Sequence, residues 1–124
     1  VSNNRGDKSI LRSIKNPSSR RYEINIHCPE LTFLGEREQP DFGCVDLRMV
    51  PSDKVIELKS FKKYIYSFRN SFLSYERFIN TIYNHIAETY APIELSISVK
   101  FKPRGGISSS LAIDSKEIDG SIIE

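Results

Sequence analysis

An α+β fold is predicted, with an antiparallel sheet and two helices gathered on one face. Three observations predict it. Ile93, Leu95, Ile97, Val99 and Phe101 alternate strictly with Glu94, Ser96, Ser98, Lys100 and Lys102, the pattern of a strand with one buried face. Two central stretches instead carry apolar residues at helical spacing, Phe61, Ile65, Phe68 and Phe72 in one and Ile79, Ile82 and Ile86 in the other. Finally, the elements run two strands, two helices, two strands, an order that segregates helices to one face of an antiparallel sheet.

At 124 residues the chain makes one domain and can bury most of its apolar surface without disulfides or metal. Hydrophobic residues are 39% and charged residues 27%, which excludes a disordered chain. A net charge of +2 argues against a protein that coats nucleic acid. No apolar run approaches the roughly 18 residues of a membrane helix. The polar opening VSNNRGDKSILR does not read as a signal peptide, and the lack of an initial Met points to an upstream start or to processing. Two cysteines, Cys28 and Cys44, are too few for a disulfide scaffold, so a reduced, cytoplasmic protein is expected.

Residues 1–20 read as an N-terminal arm. Ile10, Leu11 and Ile14 form a short apolar patch at helical spacing that Asn16-Pro17 stops. The patch is too short to stand alone and is expected to dock on the body or on a neighbouring subunit. The domain proper spans 21–113. Tyr22, Ile24 and Ile26 make a half-buried strand that His27-Cys28-Pro29-Glu30 ends, with a loop over 29–41. A second strand covers Phe42–Val50, and Pro51–Lys54 is a turn by composition. Val55 begins a short strand that passes into the first helix, and Asn70–Leu73 breaks it. Ser74 is the expected N-cap of the second helix, with Glu76 in its first turn and an end near Tyr90. The Pro103–Gly106 turn returns Ile107–Ile113 as a hairpin partner. Residues 114–124 read as a polar tail. A sheet this small has exposed edges, which copies can cover by joining their sheets, so a ring-like homo-oligomer with sites between subunits is expected.

One junction collects polar chemistry. Glu57, Lys59 and Ser60 sit where a strand hands over to a helix, where the first helical N–H groups are free to meet a ligand. The plainer reading is a capped helix start with a solvated lysine.

Several stretches in order resemble one family. They are Asn16-Pro17 ahead of RRYEI, then CPELTFL, QPDFG, VIELKSFKKYIYSFRN, SYERFIN and PRGGI. Together they are similar to the QueF family, the NADPH-dependent 7-cyano-7-deazaguanine reductases of queuosine (tRNA modification) biosynthesis. Its octapeptide signature matches Glu57–Tyr64, with only Lys63 departing from a Leu/Tyr slot. The resemblance implies a tunnelling fold, in which ββααββ subunits assemble into barrels with sites at the interfaces. It implies a small deazapurine as substrate, NADPH as cofactor, and no direct contact with nucleic acid or membrane.

It also implies roles for residues. Tyr75 and Glu76 fall at substrate-binding positions, Glu76 at the family's purine-anchoring glutamate; a carboxylate can accept two hydrogen bonds from a guanine-like N–H edge. Ile56, Glu57 and Leu58 fall at the second substrate segment. Lys59, Lys62, Arg104, Gly105 and Gly106 are candidates for the NADPH phosphates, the cations by charge and the glycines by allowing close approach. Asp41 falls at the general acid. No metal site is expected, since His27, Cys28 and His85 form no ligand triad.

The family's reaction also implies a cysteine that attacks the nitrile and forms a covalent thioimide. Thr32-Phe33-Leu34 is followed instead by Gly35, and the loop to Gln39 is one residue shorter than the family pattern. Glycine has no side chain with which to form the adduct. Cys44, three residues beyond Asp41 on a strand, is expected on the opposite face, and Cys28 is expected to be a buried small hydrophobe. The leading expectation is reduction of the nitrile to 7-aminomethyl-7-deazaguanine. The alternatives are a related protein that binds a deazapurine or pterin and does other chemistry, and a non-catalytic subunit.

Overall fold

A computed structural model of the chain describes residues 6–34 and 40–116, with the backbone alone at position 104. The strands are β1 (Ser13–Lys15), β2 (Ile24–Leu34), β3 (Pro40–Val50), β4 (Lys54–Ile56), β5 (Glu94–Arg104) and β6 (Ile107–Asp114). The helices are α1 (Leu58–Tyr66) and α2 (Tyr75–Tyr90). The main sheet is antiparallel in the order β2-β3-β5-β6, so β2 and β6 are its edges. This is the predicted α+β architecture. β1 and β4 form a separate two-stranded pair, Ile14 opposite Val55.

Both helices cover one face of the sheet. On that face Phe33, Val45, Leu47, Met49, Leu95, Ile97, Val99 and Phe101 are buried, together with Phe61, Tyr64 and Ile65 of α1 and Phe78, Ile79, Ile82 and Ile86 of α2. The alternation of β5 and the period of α2 thus meet in one core. The other face is polar. There Arg48 bonds Glu23 (2.9 Å) and Glu94 (3.1 Å), and His27 pairs with Asp46. Glu94 also meets Arg21 and Lys116, and these cations hold its carboxyl down at about 2, with the Arg21 bond the largest cause.

α2 begins as expected: Ser74 Oγ accepts from the Arg77 N–H (3.1 Å). It ends at Ala91, which takes the left-handed conformation (φ 43°). Gly105 and Gly106 both have positive φ (61° and 82°), as a two-residue hairpin turn requires, and Arg104 pairs with Ile107 across it.

Three local expectations are corrected. The Ile10–Ile14 patch is not a helix: Lys8–Ile10 is one 3-10 turn, Leu11 enters the core, and Ile14 is an exposed strand residue. Hydrogen bonds decide this, because Glu57 N donates to Arg12 O (3.2 Å) and Asn16 N to Asp53 O (2.8 Å). The strand that starts at Ile24 does not stop at Pro29. A bulge between Cys28 and Leu31 absorbs the proline, and pairing resumes at Leu31–Gly43 and runs to Leu34–Pro40. Phe72 does not join the helical face, because α1 ends at Tyr66; Phe72 is half exposed and bridges Leu34.

Candidate functional site

The sheet has two ends, and they separate the candidate residues. At one end lie Leu34, Pro40, Arg104 and Ile107, with the Gly105–Gly106 turn and the start of α2. Leu34 N donates to Ser71 O (2.9 Å) and Leu73 N to Leu34 O (3.1 Å), so the end of β2 is tied to the segment leading into α2. Asp41 is on β3 here, on the core face and only 7% exposed. The Tyr75 hydroxyl donates to Asp41 Oδ1 at 3.1 Å. Glu76, one residue on, is exposed on the first turn of α2. Gly35 lies outside the described residues.

At the opposite end, Ile56 is buried at the end of β4 and Glu57 caps α1. The Glu57 carboxylate accepts from Ser60 N (2.8 Å) and Lys59 N (3.1 Å). Those two donors, Ser60 first, lower its pKa. The N–H groups expected to be free for a ligand at this junction are therefore occupied, and the capped helix start describes the side chain of Glu57. Leu58, Lys59 and Lys62 are exposed on α1.

One chain does not bring these two groups together. Glu57 N and the Tyr90 hydroxyl both donate to Arg12 O, which places Glu57 beside the C-terminal end of α2. Glu76 is on the first turn of that helix. Fourteen residues at about 1.5 Å each put the two carboxylates on the order of 20 Å apart.

A groove of 920 Å³ runs between α1 and β2 and links the ends. Leu58, Phe61 and Ile65 supply apolar wall; Lys62, Arg69 and Lys102 supply charge. It reaches Phe42 and Gly43, the residues that follow Asp41. Cys28 also lines it. Cys28 pairs with Val45, four residues along β3 from Asp41, a separation of about 13 Å at strand rise. Cys44 lies on the polar face, opposite to Asp41, as its odd spacing predicts. Gly105 and Gly106 are open, with nothing within 4 Å of where a Cβ would stand. Among the described residues no three His, Cys, Asp or Glu side chains gather as metal ligands, and no helix is long and apolar enough to cross a membrane.

The sequence did not reveal the aromatic setting of Tyr75. Its ring stacks on Phe101 (centroids 3.7 Å, 6°) and meets the edge of Phe33 (6.2 Å, 90°). Phe33, Phe101 and Tyr75 come from three separate segments, so no local pattern announces the cluster.

Known proteins resemble this chain in sequence and in fold. A family described as QueF-like protein matches residues 40–119. A protein of Trichodesmium erythraeum named NADPH-dependent 7-cyano-7-deazaguanine reductase is 35% identical over 118 residues, covering 88% of this chain and 82% of that protein. One of the same name from Wolinella succinogenes is 40% identical over 103 residues, covering 82% and 83%. The crystal structure of apo archaeosine synthase QueF-Like superposes with a TM-score of 0.69 at 16% identity, covering 82% of this chain and 99% of that one, a likeness of fold. The chain belongs to the QueF family and has its tunnelling fold.

Proposed function

We propose that this chain is a subunit of an NADPH-dependent oxidoreductase that reduces the nitrile of 7-cyano-7-deazaguanine to 7-aminomethyl-7-deazaguanine. The observation that carries the reading is the buried Asp41, held by Tyr75 at the end of the sheet where Glu76 is displayed. Reduction of R–C≡N to R–CH2–NH2 takes two hydrides and two protons. NADPH supplies the hydrides when bound. Asp41 would supply protons at the nitrogen, and its low exposure supports that role by limiting competition from bulk water. Glu76 anchors the base by accepting from its N–H edge.

The wide separation of Glu57 and Glu76 supports a site built from two subunits. The Ile56–Leu58 segment of one chain would meet the Asp41–Glu76 end of its neighbour, with the exposed edges β2 and β6 joining copies into a barrel. The groove fits the cofactor by chemistry: Lys62, Arg69 and Lys102 bring three cations to an apolar cleft large enough for a nucleotide. Lys59, Arg104, whose side chain lies outside the described residues, and the open Gly105–Gly106 turn are the remaining candidates for phosphate contact.

A second reading rests on Gly35. With glycine where the resemblance implies the nucleophile, the pocket would bind the deazapurine without reducing it, as another enzyme or a non-catalytic subunit. Two measurements separate the readings. NADPH oxidation with the nitrile substrate is expected under the first, and no turnover at high enzyme concentration rejects it. Calorimetric binding of the base without turnover, together with gain of turnover in Gly35→Cys, is the outcome that establishes the second.

A further inference from the structure

We propose that Tyr75 is a positioning residue for Asp41: its hydroxyl fixes the carboxyl of the general acid, and an aromatic bracket fixes the hydroxyl. This rests on the reading of Asp41 as proton donor. It changes the role of Tyr75, which the family resemblance assigns to the substrate.

The argument is geometric. Tyr75 is the first residue of α2, a place where a side chain is ordinarily free to swing. Here the ring is held on two sides. Phe101 lies flat against it at 3.7 Å between centroids, and Phe33 meets it at right angles. The bracket is itself anchored. Phe33 is fully buried and stacks on Phe78 (5.1 Å, 11°), and Phe33 and Phe101 meet edge to face (5.9 Å, 84°). Phe101 pairs in the ladder with Gly43, whose missing Cβ leaves room for the ring. A ring so confined fixes the position of its hydroxyl oxygen, and that position lies 3.1 Å from Asp41 Oδ1.

The chemistry needs such an arrangement. An aspartate has two χ angles and two equivalent oxygens, so an unheld carboxyl presents its proton along several directions. A phenol that donates to one of those oxygens narrows the directions the carboxyl can take. It also stabilises the carboxylate formed after each proton has left. Misplacing a proton donor by about 1 Å costs on the order of a hundredfold in rate.

The test uses the full-length protein and Tyr75→Phe, which keeps the ring and the stack and removes only the hydroxyl. The direct readout is the side-chain carboxyl carbon of Asp41 by NMR in aspartate-labelled, ligand-free protein, assigned with Asp41→Asn. At fixed pH this resonance is expected to shift and broaden in Tyr75→Phe while the melting temperature stays within a few degrees. An unmoved resonance overturns the proposal. Because no turnover is needed, this result stands whether or not the protein reduces nitriles. In the active enzyme, Tyr75→Phe is expected to lower kcat about tenfold to a hundredfold with KM changed less than twofold. A raised KM with unchanged kcat overturns positioning in favour of substrate contact. Phe101→Leu, which keeps the hydroxyl and loosens the bracket, is expected to broaden the same resonance; a resonance as sharp as the wild type's overturns the role of the bracket.

Discussion

Gly43→Ala is a small perturbation with a large expected consequence. Gly43 lies on β3 between Asp41 and Val45, opposite Phe101 of β5. Its backbone is not in the left-handed region, so alanine is conformationally acceptable there and the effect is steric. An added Cβ would stand 2.6 Å from the carbonyl oxygen of Lys100 and 3.2 Å from Phe101 Cδ1. Favourable carbon contacts begin at about 3.5 Å. Lys100 belongs to the β3–β5 ladder, so its carbonyl cannot swing away without loosening the pairing. The strands must part by several tenths of an ångström instead. Overpacking of this kind costs about 1–3 kcal/mol, which at about 4 °C per kcal/mol for a chain of this size lowers the melting temperature by about 4–12 °C. Phe101 is also the flat support of Tyr75, so its displacement is expected to loosen the hold on Asp41 as well. Thermal melting and urea denaturation measure the first effect, and NADPH oxidation the second. A melting temperature within about 1 °C of the wild type would refute the reasoning, since the sheet would then have room that the geometry denies.

Other outcomes follow from the same structure. Tyr64 OH and His85 Nδ1 are 2.7 Å apart, and burial chiefly, with Lys8 next, lowers the His85 pKa from 6.5. The folded state therefore binds that proton less readily than the unfolded chain, so stability is full above about pH 6.5 and declines as pH falls below it. His85→Gln is expected to flatten the melting temperature between pH 7 and 5. Glu57→Ala, which uncaps α1, is expected to lower the urea midpoint, and Glu57→Ser, a good cap, to restore it while base affinity survives; affinity lost in both variants would mean that the carboxylate touches the base. Glu76→Gln is expected to weaken base binding tenfold to a hundredfold by calorimetry, the worth of about 1.5–3 kcal/mol for a hydrogen bond to a charged group. If sites are shared, co-assembling Glu76→Ala with Leu58→Glu chains should regain about one quarter of the base-binding sites, and no regain would place each site within one chain.

Much of this architecture is legible in local pattern, because local physics decides it. Ser74, the spacing of Ile79, Ile82 and Ile86, and the end at Tyr90 define α2 from cap to terminus, and the structure keeps all of them. The Gly105–Gly106 turn and the alternation of β5 are equally local. What escapes is decided by pairing across the chain. Pro29 looks like a strand end until the bulge at Cys28–Leu31 lets the ladder step around it. The segment around Ile14 has helical spacing, yet the backbone partners offered by Asp53 and Glu57 draw it into a strand. Tyr75 reads only as a first-turn residue next to a candidate base anchor, and the meeting of β2, β5 and α2 gives it a bracket.

The acid side and the nucleophilic side of the site therefore stand on different footings. Asp41 is built in depth: β3 positions it, Tyr75 holds it, Phe101 and Phe33 hold Tyr75, and Gly43 makes room for Phe101. Structure of this kind concerns a proton at a fixed atom, which any chemistry at the nitrile carbon would need, whether hydride or another nucleophile arrives there. A thiol does something narrower, since it turns the nitrile into an adduct that accepts hydride more readily. Within one chain neither cysteine stands beside Asp41: Cys44 is on the other face, and Cys28 is about 13 Å along the sheet. On the proposed reading, with Asp41 as proton donor and Glu76 as base anchor, the two would outlast the nucleophile, because they would serve recognition and protonation whichever reaction follows. The sharpest comparison is between the wild type and Gly35→Cys, in which the acid and the anchor are the same and only the attacking atom differs.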